Sequence, residues 1–228
     1  MKYSCNVYGA AGSRRVCYLL MPIDVDEASK RRLAQVFHCN LVEILVDDWD
    51  DALTPWVSPG VMPGDADFGG EAALTLRQLC RDIMPAAERR LGLEGNTPVV
   101  RQLAGVSLSG LFAVWAWMQG DVFSDIASIS GSFWYDGFVD WLKAEGKRKQ
   151  GLAYLSLGDK EGHTRVQRFK SVVADTAAVV DILRGDGARV VFQQTAGSHY
   201  APMLPRLIKA LTALSAQYQA KEGSPMPV

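Results

Sequence analysis

The chain has 228 residues, a net charge of −1 and 48% hydrophobic residues. That is enough for one substantial core and too little positive charge to hold a phosphate backbone, which excludes nucleic acid as a partner. No run of about 18 apolar residues occurs, so no membrane span is expected either.

The opening MKYSCNVYGAAGSRR has no apolar leader, and Cys5, Cys17, Cys39 and Cys80 are scattered without metal-ligand spacing. The expectation is a single cytoplasmic domain over 1–228 with reduced thiols, no metal, no cofactor and a frayed tail from about 219.

In chain order, residues 3–8 (YSCNVY) read as an edge strand, 16–20 (VCYLL) as the first buried strand and 41–46 (LVEILV) as the next. From 71 to 91 a helical stripe runs through Leu76, Leu79, Cys80, Ile83, Met84, Ala87 and Leu91, with Pro85 predicted to kink or restart the helix. Residues 99–106 (VVRQLAGV) form a strand that runs through Ser107 into 108–118, which is apolar on every side and must be buried as a helix. Further strands are predicted at 126–130, 152–157 and 189–194. Between the last two, Val166, Phe169, Val173, Thr176, Val180 and Leu183 make a second helical stripe, with Gly185 placed as the C′ residue. A final helix starting near Pro202 should bury Leu204, Leu207, Ile208 and Leu211. Near-continuous apolar strands alternating with helices predict an α/β fold: a mostly parallel sheet, helices on both faces, and every strand's C-terminal end along one ligand-binding edge.

Ser107 stands in Gly105-Val106-Ser107-Leu108-Ser109, one residue short of the G-x-S-x-G turn that projects a nucleophilic serine above a sheet. A serine nucleophile needs a base and the base an orienting acid, and in α/β-hydrolases the three follow in chain order Ser, Asp/Glu, His at strand ends. Here the 152–157 strand ends in GDKEGH, offering Asp159 and Glu161, and the 189–194 strand ends in TAGSHY, offering His199. Of the two other histidines, His38 reads as a helix-end residue and His163 as a solvated loop residue. The ordered trio predicts the α/β-hydrolase fold, a three-layer sandwich, with Ser107 as nucleophile and His199 as base.

AGVSLSGLFAVWAW, ISGSFWYDG, LSLGDKE and GSHYAPMLPRLIKAL together resemble the esterase D-like, siderophore-esterase-like family of α/β-hydrolases from about Val16 to Leu214, most of the chain. That group includes siderophore trilactone esterases, feruloyl esterases, S-formylglutathione hydrolase and mycolyltransferases. The resemblance implies Glu161 as the acid through Gly158-Asp159-Lys160-Glu161, with Asp159 the alternative. One oxyanion donor should be the N–H of Leu108. The second falls to the loop after 16–20, where relatives often carry H-G; this chain has MPIDVDEA, and Ile23 is the predicted donor because Pro22 has no N–H.

Trp49, Trp56 and Trp134 follow strand ends and are expected to wall the pocket, while Asp47, Asp48, Asp50 and Asp51 read as a solvated loop. The expected activity is hydrolysis of a small-molecule carboxylic ester through an acyl-enzyme. The same residues would serve an acyltransferase, and a catalytically silent hydrolase fold used for binding is the reading from another class. A homodimer is compatible with the sequence.

Overall fold

A computed structural model describes residues 3–95 and 98–222, with side chains through residue 218. Seven strands form one sheet in the order β1-β3-β2-β4-β5-β6-β7. They are β1 (Tyr3–Tyr8), β2 (Arg15–Leu20), β3 (Asn40–Val46), β4 (Val100–Val106), β5 (Asp125–Ile129), β6 (Leu152–Gly158) and β7 (Arg189–Thr195). All pairings are parallel except β1 against β3. All seven predicted strands are present.

Alternation along each strand feeds two cores. Val16, Tyr18 and Leu20 of β2 face one side, where they pack with α3 (Ala72–Gln78), α4 (Met84–Arg90), α5 (Leu108–Gln119), α6 (Phe138–Glu145) and α7 (Val172–Gly185). Cys17 and Leu19 face the other, against α1 (Glu27–Val36) and α8 (Met203–Glu222). Two-sided cover is why the strands read as unbroken apolar runs. A short helix, α2 (Trp49–Ala52), follows β3. The tail expected from about 219 is helical in backbone to Glu222, and its remainder lies outside the described residues.

One local expectation holds and three are corrected. At Pro85 the helix restarts, as expected, with the proline in the first turn of α4; just before it the chain widens into a π-helical turn at Leu79–Ile83, where the Met84 N–H reaches back to Leu79 O. A wider turn gives the pyrrolidine ring room where a regular one would press it on a carbonyl. The left-handed residue after α7 is Gly187 (φ 91°), not Gly185, which is the helix's last residue. With α7 beginning at Val172, Val173 turns outward and is 51% exposed, while Val172 and Val179 take its place in the core. In α8, Leu207 and Leu211 are buried as expected, but Ile208 is exposed and Arg206 is buried.

β2 leads to β3 on one side of it and, through the next crossover, to β4 on the other. The sheet therefore reverses its winding between β2 and β4, where the carboxyl ends of strands open a crevice. Ser107 follows β4 at that edge.

Candidate active site

Ser107 adopts φ 58° and ψ −123° between β4 and α5. A side chain rarely takes positive φ, and a turn held there marks stored backbone strain. The surrounding bonds hold it: Ser107 N–H donates to Ile129 O (3.1 Å), and Ser107 O accepts from the N–H groups of Leu111 (3.0 Å) and Ser132 (3.0 Å).

The departure from G-x-S-x-G is explained by the same turn. A Cβ on Gly105 would lie 2.2 Å from Ser109 O, so no side chain fits there. Ser109, in contrast, folds its hydroxyl back on the strand end, donating to Val106 O (2.8 Å) and accepting from Val106 N–H (2.8 Å). The serine occupies the last place of the motif without obstructing the turn.

His199 Nε2 lies 3.2 Å from Ser107 Oγ, and His199 Nδ1 lies 2.9 Å from Glu161 Oε2. Three residues from three strand-end loops thus form one hydrogen-bonded line. Glu161 is buried, and its other oxygen, Oε1, accepts from Gly158 N–H (2.7 Å) and from Ser130 Oγ. Burial opposes ionisation of Glu161, but the bonds from His199, Ser130 and Gly158 outweigh it and hold the carboxyl below its ordinary range.

Asp159 has a different place: its carboxylate accepts the Gly197 N–H at 2.8 Å, while Lys160 N–H donates to Gly197 O at 3.1 Å. These bonds fasten the acid loop to the base loop. The approach is close enough that a Cβ on Gly158 would sit 2.3 Å from Gly197 O.

Leu108 opens α5, where first-turn N–H groups have no intrahelical acceptor. The other predicted oxyanion donor is corrected. Ile23 N–H is taken by the buried carboxylate of Glu43 at 2.6 Å, and Ile23 does not line the cavity. A group unforeseen in the sequence stands closer: the buried Ser132 places its Oγ 3.2 Å from Ser107 Oγ.

The line opens into a cavity of about 510 Å³. Trp134 walls it, as expected, paired with Phe169 at 4.6 Å between ring centroids. Val166 and Val172 continue the apolar side; Lys160, His163 and Tyr200 line the rest, so His163 is an exposed residue that also faces the cavity. Trp49 and Trp56 are not part of it. Trp56 packs among Tyr135, Phe138 and Trp141 and donates its indole N–H to Asp136 O (2.9 Å), and Trp49 packs against the core. Their loop is drawn onto α6 instead of overhanging the serine. Arg168 secures the same loop, donating to Pro59 O, to Gly60 O (2.9 Å) and to Ser58 Oγ (2.6 Å) while lying over the Trp134 ring at 5.5 Å.

His38 (φ 45°) lies just past the end of α1, after the capping residue Phe37. Among the described residues no group of three His, Cys, Asp or Glu side chains is arranged to hold a metal ion, and no helix is long and apolar enough to cross a membrane.

The fold is that of the α/β-hydrolases. The IroE-like serine hydrolase from Shewanella oneidensis superposes with a TM-score of 0.75 at 17% identity, covering 95% of this chain and 76% of that one. The siderophore hydrolase EstA from Aspergillus nidulans does so with a TM-score of 0.70 at 18% identity, covering 94% and 90%. In sequence, the uncharacterized protein YbbA of Bacillus subtilis (strain 168) is 28% identical over 140 residues, 60% of this chain and 55% of that protein, so the match spans about half of that relative's length. No protein-family model matches the chain.

Proposed function

We propose that the protein is a serine esterase that cleaves a carboxylic ester through an acyl-enzyme. The observation that carries this is the line Ser107–His199–Glu161, ending on a serine in a strained turn at the mouth of a cavity. In this reading Ser107 Oγ attacks the ester carbonyl carbon as His199 Nε2 takes its proton. The carbonyl C–O bond to the alcohol breaks, and His199 returns the proton to the departing alcohol oxygen. Water, deprotonated by His199, then attacks the acyl carbon, and Ser107 leaves with the proton restored. Glu161 keeps Nδ1 protonated and stabilises the imidazolium formed in each half-reaction.

Leu108 N–H supplies one hydrogen bond to the tetrahedral oxyanion. Ser132 Oγ, beside the nucleophile, supplies the second in place of Ile23. The wall of Trp134 and Phe169 suits an aryl or apolar acyl group. The likeness to a serine hydrolase and to a siderophore hydrolase supports ester cleavage.

A fluorophosphonate probe tests the proposal. Labelling should fall on Ser107, and Ser107→Ala or His199→Ala should each remove hydrolysis of p-nitrophenyl acetate to a common residual, about 10⁴-fold or more below wild type, with the double variant little worse. Wild-type turnover in Ser107→Ala, or losses that multiply, would sink it. Adding an alcohol acceptor and identifying the product separates hydrolysis from acyl transfer by the same residues. The reading as a silent binding protein draws on the occupied Ile23 N–H; absence of labelling would support it.

A further inference from the structure

Arg206 lies in the first turn of α8, seven positions after His199, and is only 3% exposed. Its guanidinium Nη2 donates to Ser130 Oγ and stands 3.4 Å from Glu161 Oε1, while Nη1 reaches the His199 carbonyl at 3.5 Å. One cation therefore touches the turn after β5, the acid loop after β6 and the backbone of the base. Ser130 holds a left-handed backbone (φ 49°) that directs its hydroxyl to both partners and donates to the same Oε1.

The carboxylate's two oxygens are thus divided. Oε1 takes every anchor (Gly158 N–H, Ser130 Oγ and Arg206), and Oε2 is left to the imidazole. We propose that Arg206, directly and through Ser130, is a positioning residue that fixes the plane of Glu161 and hence the aim of His199 at Ser107. This rests on the esterase reading above. A buried ion pair is weak evidence for stability, because exchanging it for well-packed apolar groups is often neutral or stabilising. What the pair supplies here is orientation, and small misplacements within a catalytic line are expensive in rate.

The experiment compares Arg206→Met and Arg206→Lys with wild type, using p-nitrophenyl acetate kinetics, fluorophosphonate labelling of Ser107 and the NMR signal of the His199 Nδ1 proton shared with Glu161. Arg206→Met should fold, lose about ten- to a hundredfold in kcat with KM within about twofold, and lose the sharp Nδ1 proton signal. Arg206→Lys, which keeps a cation in place, should regain most of kcat. A folded Arg206→Met with wild-type kcat, a loss confined to KM, or no recovery in Arg206→Lys would overturn the proposal. Should Arg206→Met not fold, Ser130→Ala removes the bridging hydroxyl: a severalfold drop in kcat at unchanged KM supports the clamp, and unchanged kcat overturns it. The proton signal does not depend on turnover. An unlabelled wild type with a clamp-dependent signal would defeat the esterase reading alone, and a labelled wild type with a signal indifferent to Arg206 would defeat the clamp alone.

Discussion

Glu43 and Glu161 are built alike and placed for different ends. Both are buried glutamates; each accepts a backbone N–H, from Ile23 at 2.6 Å and from Gly158 at 2.7 Å, and each has a cation nearby, Lys30 at 3.2 Å and Arg206 at 3.4 Å. In both, burial opposes ionisation and the surrounding donors outweigh it, so both carboxyls lie below their ordinary range. The difference is the remaining partner. Glu43, in the middle of β3, bonds to Asn6, Tyr8 and Lys30, all groups that hold the β1–β3 side of the sheet together. Glu161, just past the end of β6, offers an oxygen to an imidazole that faces a serine and a cavity. Burial and a shifted titration are common to both and so do not single out the proposed acid; what sets Glu161 apart is a partner able to carry a proton at the ligand-binding edge.

Substitutions at the two glutamates should separate these roles. Glu161→Gln keeps the shape but offers His199 a group that cannot stabilise imidazolium, and should lower kcat by about 10³-fold or more, while Asp159→Asn stays within a fewfold. The reverse ranking, measured on one aryl ester, would move the acid to Asp159. Ser132→Ala should lower kcat by about a hundredfold if its hydroxyl meets the oxyanion, and scarcely at all if Leu108 N–H acts without it.

Glu43→Gln should do the opposite of Glu161→Gln: about 2 kcal/mol less stable in urea, with turnover within about threefold. A large loss of turnover without a loss of stability would erase the contrast. The acid response follows from the sign of both shifts. Each glutamate stabilises the fold fully above the ordinary value of 4.5 and loses that contribution as pH falls through its lower folded value. The urea midpoint should therefore fall steeply below pH 4.5 and less steeply in either Gln variant.

Much of this was legible in the sequence because much of it is local. Strands covered on both faces announce themselves as apolar runs, and the helix at 108–118, apolar on every side, could only lie inside. The order Ser107, then Asp159 or Glu161, then His199 is readable because each lies in the loop after its own strand, and the choice of Glu161 came from the family resemblance. What escaped was decided by loops meeting in space. Nothing near Ile23 says that Glu43, twenty positions on, will take its N–H, and Trp56 was lost to the pocket by an aromatic cluster assembled from residues 135–141. Arg206 did leave a signal. It falls with Leu207, Ala210, Leu211 and Leu214 on the buried face of α8, and a charge inside an apolar stripe asks for a buried partner.

Gly105 and Ser109 carry a lesson for finding such chains. The two small positions of the turn are unequal: at the first, backbone stands where a side chain would begin, and at the second a hydroxymethyl group turns back on the strand and bonds there. Exchange at the first should be forbidden and at the second free, so Gly105→Ala should disrupt the turn while Ser109→Gly leaves stability within about 1 kcal/mol and turnover nearly unchanged. A search pattern that demands glycine at both ends discards this protein on the tolerant position. One that fixes the first glycine and admits any small residue at the other would retrieve serine-ended turns as a population, whose members can then be compared for what the spare hydroxyl contributes.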